Sequence, residues 1–277
     1  MRSTPKRYTR KQLLQHYAAD SQPFTYIDGH AGRGIYDLGE NLTEFQNYGL
    51  NLLERHHHRL SSGTPGAVAS LLEANRRLNG PNETRWYLGS PSLATSWIRE
   101  QDRMTALEAS QEHQPALEAA FGRTLAADGA ARRVDIRREN SYLYLSDLSV
   151  AGRGLILLDP PYEPYSQYLS WNLWAIDSLR SRCPDTCILM WYPCSGEADR
   201  QSLHLRVRDL GLQNAVFAEL CETDFGKKKG ALVSSGVLLV NPPTDMLDLE
   251  AKVQEILSCL QDAFHPVLSM ETSYLKV

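Results

Sequence analysis

The sequence contains no apolar run long enough to cross a lipid bilayer. A membrane-spanning helix needs about 18 or more consecutive apolar residues, and no stretch of this chain approaches that length. The basic N-terminus, residues 1–20, also lacks the apolar segment that a secretory signal requires. We therefore expect a cytoplasmic protein that makes no contact with membranes.

Cysteine is scarce, and positive charge is not in excess. Five cysteines in 277 residues are an odd number in a chain too long to need disulfide support, which predicts reduced thiols. The 29 lysines and arginines are outnumbered by 33 aspartates and glutamates, giving a net charge of −4. A protein that coats nucleic acids is usually strongly basic, so this balance argues against that class.

The basic residues that are present form local clusters, at residues 2–11, at residues 132–138 and in one loop. Such clusters can pair with phosphates even on an acidic protein, but they also serve as solvated surface, and the sequence leaves both interpretations open. The loop cluster consists of Lys227, Lys228 and Lys229. Because it separates the last two predicted strands, it would lie near a substrate opening, and we treat it as a candidate substrate-binding segment.

Two groups of metal-ligating residue types lack the geometry of a metal site. The histidines at 56–58 are adjacent, and neighbouring side chains on a helix point about 100° apart. Cys183, Cys187 and Cys194 have neither a fourth ligand nor a histidine nearby. We expect no bound metal.

Alternating strand and helix patterns predict an α/β fold. Seven strands are expected, near residues 24–27, 103–108, 133–137, 155–158, 187–193, 216–222 and 235–240. Those after residue 150 are apolar runs separated by helical segments, which is typical of a sheet covered on both faces. We predict one domain over residues 1–277, with a doubly wound, mixed but mostly parallel seven-stranded sheet of the Rossmann-like kind and a small polar helical insertion at about 40–85.

A glycine-rich turn follows the first predicted strand. It reads Asp-Gly-His-Ala-Gly-Arg-Gly over residues 28–34, and its glycines let the backbone approach a ligand closely. The spacing differs from the dinucleotide fingerprint, but it suits S-adenosylmethionine, whose amino-acid end needs close backbone contact without a pyrophosphate cradle. An ordinary strand–helix turn is the alternative. Glu108, at the end of the second predicted strand, is placed to accept the ribose hydroxyls of a nucleoside.

The most specific motif is the Asp-Pro-Pro-Tyr sequence at residues 159–162. Four apolar residues precede it, so Asp159 should emerge at the carboxyl edge of a buried strand, where α/β sheets bind ligands. The Asp159 carboxylate and the Pro160 carbonyl can accept both hydrogens of an adenine amino group and align its nitrogen with a methyl sulfonium. Pro161 helps to fix the backbone, and Tyr162 can stack on a base taken out of its helix. A strand that merely ends in prolines is the alternative.

Three large apolar residues follow this motif in a helical segment. Trp171, Trp174 and Ile176 are more typical of a helix that covers a sheet than of a platform for RNA bases. We therefore expect all three side chains to pack against the sheet.

These motifs resemble the RlmJ family, class I S-adenosylmethionine-dependent methyltransferases that methylate N6 of an adenine in 23S ribosomal RNA. The similarity is colinear over about residues 8–245. The stretches that carry it are residues 23–38, 87–94, 106–110, 153–163, 190–193 and 228–243.

The resemblance implies S-adenosylmethionine as the cofactor and a catalytic motif made of Asp159, Pro160, Pro161 and Tyr162. The positions matched to cofactor binding are Lys6, Asp28, His30, Gly32, Ser90, Glu108, Asn140, Ser141 and Asp159. Asn140 and Ser141 stand where the family has an Asp-Gly pair near the adenine ring of the cofactor. The side-chain carbonyl of Asn140 can still accept a hydrogen bond from the adenine amino group.

The resemblance also implies that the substrate is 23S ribosomal RNA free of ribosomal proteins, that no metal is needed and that the enzyme is a monomer. One alternative is a DNA adenine-N6 methyltransferase, which uses the same motif, although we identify no separate target-recognition domain. A second is a catalytically weakened, methyltransferase-like protein that binds nucleic acid, because the family's N-terminal Tyr-Arg-His segment finds no match here.

Overall fold

The computed structural model describes most of the chain: residues 4–38, 66–79, 85–126, 133–150, 152–194, 196–212, 214–222, 234–264 and 270–277. Most of the predicted helical insertion lies outside these residues, as does the lysine cluster at 227–229. The assignment of residues 1–277 to a single domain stays a prediction.

The described residues alternate between strands and helices, as the sequence patterns predict. The strands are β1 (Thr25–Asp28), β2 (Ile35–Asp37), β3 (Trp86–Leu88), β4 (Arg103–Leu107), β5 (Arg133–Arg137), β6 (Gly154–Leu158), β7 (Thr186–Cys194), β8 (Ala215–Glu222), β9 (Ser234–Val240) and β10 (Met270–Lys276). The helices are α1 (Thr4–Ala19), α2 (Gly66–Asn79), α3 (Ser90–Ala94), α4 (Gln114–Ala126), α5 (Ser141–Asp147), α6 (Tyr165–Arg182), α7 (Glu197–Asp209) and α8 (Leu249–Phe264).

The central sheet is mixed, with the order β10-β8-β9-β7-β6-β1-β4-β5. Strands β5, β4, β1, β6 and β7 pair in parallel, whereas β9 pairs antiparallel with both β7 and β8. The Rossmann-like class is therefore confirmed, but the predicted number of seven strands is wrong because the sheet has eight. The additional strand, β10, lies at the sheet edge, and its residues are mostly polar and form no apolar run.

The carboxyl ends of β1 and β6 lie side by side at the middle of the sheet. Leu155, Ile156, Leu157 and Leu158 of β6 are all 0% exposed, as expected for a strand buried on both faces. The Gly29 amide, just after β1, donates a 2.9 Å hydrogen bond to the Leu157 carbonyl. This contact places the glycine-rich turn directly against the Asp-Pro-Pro-Tyr motif, at the point where parallel sheets bind ligands.

Helices pack against this sheet. Helix α1 contacts β7, β8 and β9 and also α8, while α8 contacts β8 and β10. None of the helices in the described part of the chain is long and apolar enough to span a membrane.

A buried carboxylate joins the antiparallel half of the sheet to α7. Glu219 is 0% exposed and accepts hydrogen bonds from the Tyr192 hydroxyl at 2.6 Å and from the Ser273 hydroxyl at 2.7 Å. His204 and Arg200 of α7 contact it at 2.8 Å and 3.4 Å. Burial alone would raise the pKa of Glu219, but the hydrogen bonds from these partners outweigh burial and lower it.

We expect Glu219→Gln to lower the free energy of unfolding by about 3 kcal/mol, because the change places an NH₂ group among buried donors and removes the negative charge that faces Arg200. The folded-state pKa lies below the unfolded value of about 4.3. The stabilisation is thus complete above that value and is lost as the pH falls through the folded-state pKa. Urea unfolding at neutral pH and through the acid range measures both effects.

The matched control is Glu250→Gln, because Glu250 pairs with Lys276 at the surface, where their side chains are 45% and 69% exposed. We expect no shift of its unfolding midpoint. If the two variants had equal midpoints at neutral pH, Glu219 would not have this role.

Candidate active site

A cavity of about 790 Å³ opens at the carboxyl ends of the central strands. Eleven of the residues selected from the sequence line it: Lys6, His30, Gly32, Ser90, Glu108, Asn140, Ser141, Asp159, Pro160, Pro161 and Tyr162. Asp28 does not line the cavity, because its side chain is 0% exposed beneath the glycine-rich turn. The structure therefore brings together residues that are up to 156 positions apart in the sequence.

An ion pair forms part of the cavity lining. The Lys6 ammonium donates to Oδ2 of Asp159, and the two side chains are only 10% and 15% exposed. The ammonium also lies 4.6 Å from the centre of the Trp191 ring, a cation–π distance. Burial lowers the pKa of Lys6, although the charge of Asp159 opposes this shift. Oδ1 of Asp159 remains available for another donor.

His30 links the glycine-rich turn to the catalytic motif. Its Nδ1 accepts a 3.2 Å hydrogen bond from the backbone N–H of Asp159. Burial, together with repulsion from Lys6, lowers the pKa of His30 to about 3. The ring is therefore neutral at physiological pH and carries its proton on Nε2, so it holds the Asp159 backbone in place without adding charge.

Tyr162 is held in place through its hydroxyl group, and the residue is 6% exposed. Its backbone adopts a positive φ of 58°, which is uncommon for a residue other than glycine. The hydroxyl donates to the Trp191 carbonyl and accepts a 2.8 Å hydrogen bond from the Asn172 amide. The rings of Tyr165 and Trp191 lie 5.7 Å and 5.5 Å from it. Because its phenol end is fixed, only part of the ring faces the cavity, and stacking on a base stays a prediction.

The glycine-rich turn depends on the absence of side chains. Gly32 has φ of 63°, and a Cβ there would lie 2.1 Å from the Tyr36 hydroxyl. Its N–H donates a 2.8 Å hydrogen bond to Oε2 of Glu108. Oε1 of Glu108 accepts a 2.7 Å bond from the Ser110 N–H. Each carboxylate oxygen has a further lone pair, so Glu108 can still accept ribose hydroxyls.

Asn140 and Ser141 begin helix α5 at the cavity wall. The side-chain oxygen of Asn140 caps the helix by accepting from the Tyr142 and Leu143 amides at 3.0 Å and 3.3 Å. Since these bonds engage that oxygen, the hydrogen bond expected from the cofactor adenine to it stays a prediction. The Ser141 hydroxyl donates to the Gly29 carbonyl and so fixes the glycine-rich turn.

The basic N-terminal cluster is buried rather than solvated. Arg7, Arg10 and Lys11 are 7%, 0% and 1% exposed, and the first two line the cavity beside Lys6. Sequence reasoning missed Arg7 and Arg10 as site residues. Their spacing was the available signal, because residues at positions 6, 7, 10 and 11 share one face of a helix.

The prediction that both tryptophans after the motif cover the sheet is wrong. Trp171 is 38% exposed and lines the cavity, and Trp174 is 50% exposed, whereas Ile176 is 0% exposed as expected. The Trp171 ring meets Tyr168 edge-on at 5.3 Å. Trp171 therefore borders the cavity, and Trp174 is exposed to solvent instead of packing in the core.

The thiols and histidines give no metal site within the described ranges. No group of three or more His, Cys, Asp or Glu side chains there has the geometry to hold a metal ion. Cys183 and Cys187 are buried free thiols, and burial raises the pKa of Cys187. The histidines at 56–58 lie outside the described residues.

The cavity fits S-adenosylmethionine. The turn that lines it can form only with glycine at positions 29 and 32, since Cβ atoms there would meet the Leu157 carbonyl at 2.8 Å and the Tyr36 hydroxyl at 2.1 Å. Glu108 and Asp159 both present carboxylates to this cavity. This arrangement in a Rossmann-like sheet defines a class I S-adenosylmethionine-dependent methyltransferase that acts on an amino nitrogen.

The sequence family described as ribosomal RNA large subunit methyltransferase D, RlmJ, matches residues 21–273. The chain belongs to this family. Ribosomal RNA large subunit methyltransferase J of Escherichia coli K12 is 26% identical over 266 residues, covering 94% of this chain and 89% of that protein. The protein of the same name from Haemophilus influenzae is 26% identical over 257 residues, covering 92% and 86%. A crystal structure of the Legionella pneumophila protein LPL1258 superposes with a TM-score of 0.82 at 23% identity, covering 99% and 95%, and supports the fold.

Proposed function

We propose that this methyltransferase transfers the methyl group of S-adenosylmethionine to N6 of an adenine in 23S ribosomal RNA. Asp159 carries the proposal, because it lines the same cavity as the glycine-rich turn and Glu108, and its backbone N–H donates to His30 of that turn. Family membership and the names of the relatives support RNA as the substrate. We further propose that the RNA is free of ribosomal proteins, that the enzyme works as a monomer and that no metal takes part.

Asp159 and Pro160 would orient the target amine. An exocyclic amine is a poor nucleophile, because its lone pair is delocalised into the purine ring. Oδ1 of Asp159 and the Pro160 carbonyl each accept one of its hydrogens, while Lys6 remains on Oδ2. The bound cofactor supplies an electrophilic methyl group. As the N–C bond forms, positive charge develops on the nitrogen beside the Asp159 carboxylate, which stabilises it. The proton then leaves to water.

Aromatic side chains form the part of the cavity that would take the base. Five of them line it near the catalytic motif: Tyr142, Tyr162, Tyr165, Tyr168 and Trp171. Purines stack on such rings at about 1–3 kcal/mol per base. A base removed from its helix would exchange stacking on its neighbours for stacking here.

The experiment offers tritiated S-adenosylmethionine to protein-free 23S RNA, assembled large subunits and duplex DNA side by side. We expect label on the free RNA and little on the other two substrates. Label on assembled subunits at an equal rate would contradict the requirement for protein-free RNA. Label confined to duplex DNA would overturn the RNA assignment.

We expect Trp171→Ala to raise the KM for RNA about tenfold, because it removes one exposed ring at the cavity opening. Affinity for the cofactor should not change, since Trp171 belongs to the group of aromatic residues proposed to take the base and not to the residues proposed to bind the cofactor. Steady-state kinetics and a cofactor titration test this. Leu247→Ala, at a side chain that is 93% exposed, is the matched control, and equal KM values for the two variants would rule out a role for Trp171 in RNA binding.

A further inference from the structure

Arg10 is a buried cation whose donors are not used. Its residue is 0% exposed, and its side chain lines the cavity. None of its three guanidinium nitrogens has a hydrogen-bond partner at bonding geometry, although the Tyr26 hydroxyl lies close enough to interact with Arg10. A buried guanidinium without an acceptor is costly, since both its charge and its N–H groups lose water. This arrangement indicates that an anionic group completes the site when a ligand is bound.

The neighbouring cations on α1 already have partners. Lys6 pairs with Asp159. Arg7 donates a 2.8 Å hydrogen bond to the Leu88 carbonyl and lies 3.7 Å over the Tyr87 ring. Among the lysine and arginine side chains that line the described part of the cavity, Arg10 is thus the one with all of its donors free.

Asp28, which interacts with Arg10 through charge, does not satisfy its donors. Asp28 is 0% exposed, and it accepts a 3.0 Å hydrogen bond from the Tyr26 hydroxyl and a 3.3 Å bond from the His30 N–H. Burial raises the pKa of Asp28, while Arg10 lowers it through its charge and Ser90 lowers it through a hydrogen bond. Arg10 and Asp28 therefore interact through charge, but Asp28 fills none of the guanidinium's hydrogen-bonding positions.

The cofactor carries one group whose chemistry matches the guanidinium donors of Arg10. Its α-carboxylate is anionic and planar, and a guanidinium can bind such a group through two parallel N–H···O bonds. The carboxylates of Glu108 and Asp159 repel it from their parts of the cavity. The α1 side of the cavity, with Arg7 and Arg10, is left as the favourable location.

We propose that Arg10 binds the α-carboxylate of S-adenosylmethionine and thereby sets how far the methionine end enters the cavity. This inference rests on the proposed function, because it assumes the same cofactor. Arg10 acts by binding only, and the reacting methyl group is oriented by the rest of the site.

Calorimetric titration with two ligands tests this assignment. S-adenosylhomocysteine carries the carboxylate, whereas 5′-methylthioadenosine keeps the adenosine and the sulfur but lacks the amino-acid end. We expect Arg10→Gln to weaken S-adenosylhomocysteine about 10- to 100-fold and to leave methylthioadenosine unchanged. Arg103→Gln, at an exposed arginine on β4, is the matched control and should bind both ligands like the unaltered protein.

Decarboxylated S-adenosylmethionine separates the carboxylate from the ammonium group. The unaltered protein should prefer S-adenosylmethionine over its decarboxylated form by about 10- to 100-fold. Arg10→Gln should remove that preference, and Arg10→Lys, which keeps a cation for folding, should retain part of it. Equal weakening of every ligand by Arg10→Gln would show a structural role and overturn the proposal. An unaltered protein that bound none of these ligands would instead contradict the cofactor assignment itself.

Discussion

Replacing Asp159 by asparagine is expected to lower kcat for methyl transfer about 100- to 1000-fold, with little change in the affinity for S-adenosylmethionine. The carboxylate stabilises positive charge on the attacking nitrogen in the proposed mechanism. Single preorganised groups of this kind raise the rate of the chemical step by factors of about 100 to 1000. Asparagine keeps the shape and one acceptor oxygen but removes the charge. Single-turnover methylation of 23S RNA measures the chemical step, and calorimetry measures cofactor binding.

The ion pair with Lys6 makes the choice of variant important. Asp159→Ala would leave the Lys6 ammonium buried without a partner, which is strongly destabilising unless Lys6 releases its proton. Asp159→Asn limits this loss of stability, because the amide oxygen can still accept a hydrogen bond from Lys6. Thermal melting measures the remaining loss of stability. Asp135→Asn, at a side chain that is 52% exposed and pairs with Arg137, is the matched control. A folded Asp159→Asn variant as active as this control would remove Asp159 from the mechanism.

Replacing Glu108 by glutamine is expected to weaken the binding of S-adenosylmethionine about 100-fold. Both oxygens of Glu108 accept backbone N–H groups, from Gly32 at 2.8 Å and from Ser110 at 2.7 Å. An amide places an NH₂ group against one of these donors and offers the ribose a weaker acceptor. Weakening each of two charge-assisted hydrogen bonds to the ribose by about 1.4 kcal/mol would account for a loss of this size.

Calorimetric titration of S-adenosylhomocysteine measures the effect of Glu108→Gln. The variant at the exposed neighbour, Glu112→Gln, keeps the same change in charge away from the cavity and should bind normally. The RNA concentration that gives half-maximal rate should be the same in both variants, because Glu108 is assigned to the cofactor. Unchanged affinity for S-adenosylhomocysteine in Glu108→Gln would contradict the ribose assignment.

The centre of the fold could be predicted because its signals are local. The apolar run of β6 sets a strand that is buried on both faces, and the prolines that follow end it at Asp159. The glycines after β1 mark a turn that a side chain would block, as the 2.1 Å approach at Gly32 shows. Since parallel strands end at the same sheet edge, the two motifs had to meet. The cavity residues near them follow from this arrangement.

Features that depend on distant partners could not be predicted in this way. Strand β10 becomes a strand by pairing with β8, and no apolar run marks it beforehand. Burial of Arg10 depends on how α1 packs on the sheet. The polar sequence of α1 does not indicate this packing. Trp171 and Trp174 are residues of a type common in cores, yet Trp171 lines the cavity and Trp174 is exposed. The hydrogen bonds that anchor Tyr162 come from Trp191 and Asn172, in two other elements.

The most direct test of the account is the chemical identity of the methylated nucleoside. Protein-free 23S RNA is incubated with S-adenosylmethionine and with either the unaltered protein or Asp159→Asn, then digested and analysed by mass spectrometry. We expect N6-methyladenosine with the unaltered protein and almost none of it with Asp159→Asn. A methyl group found on a ring carbon, on a ring nitrogen or on another base, or equal N6-methyladenosine from both proteins, would contradict it.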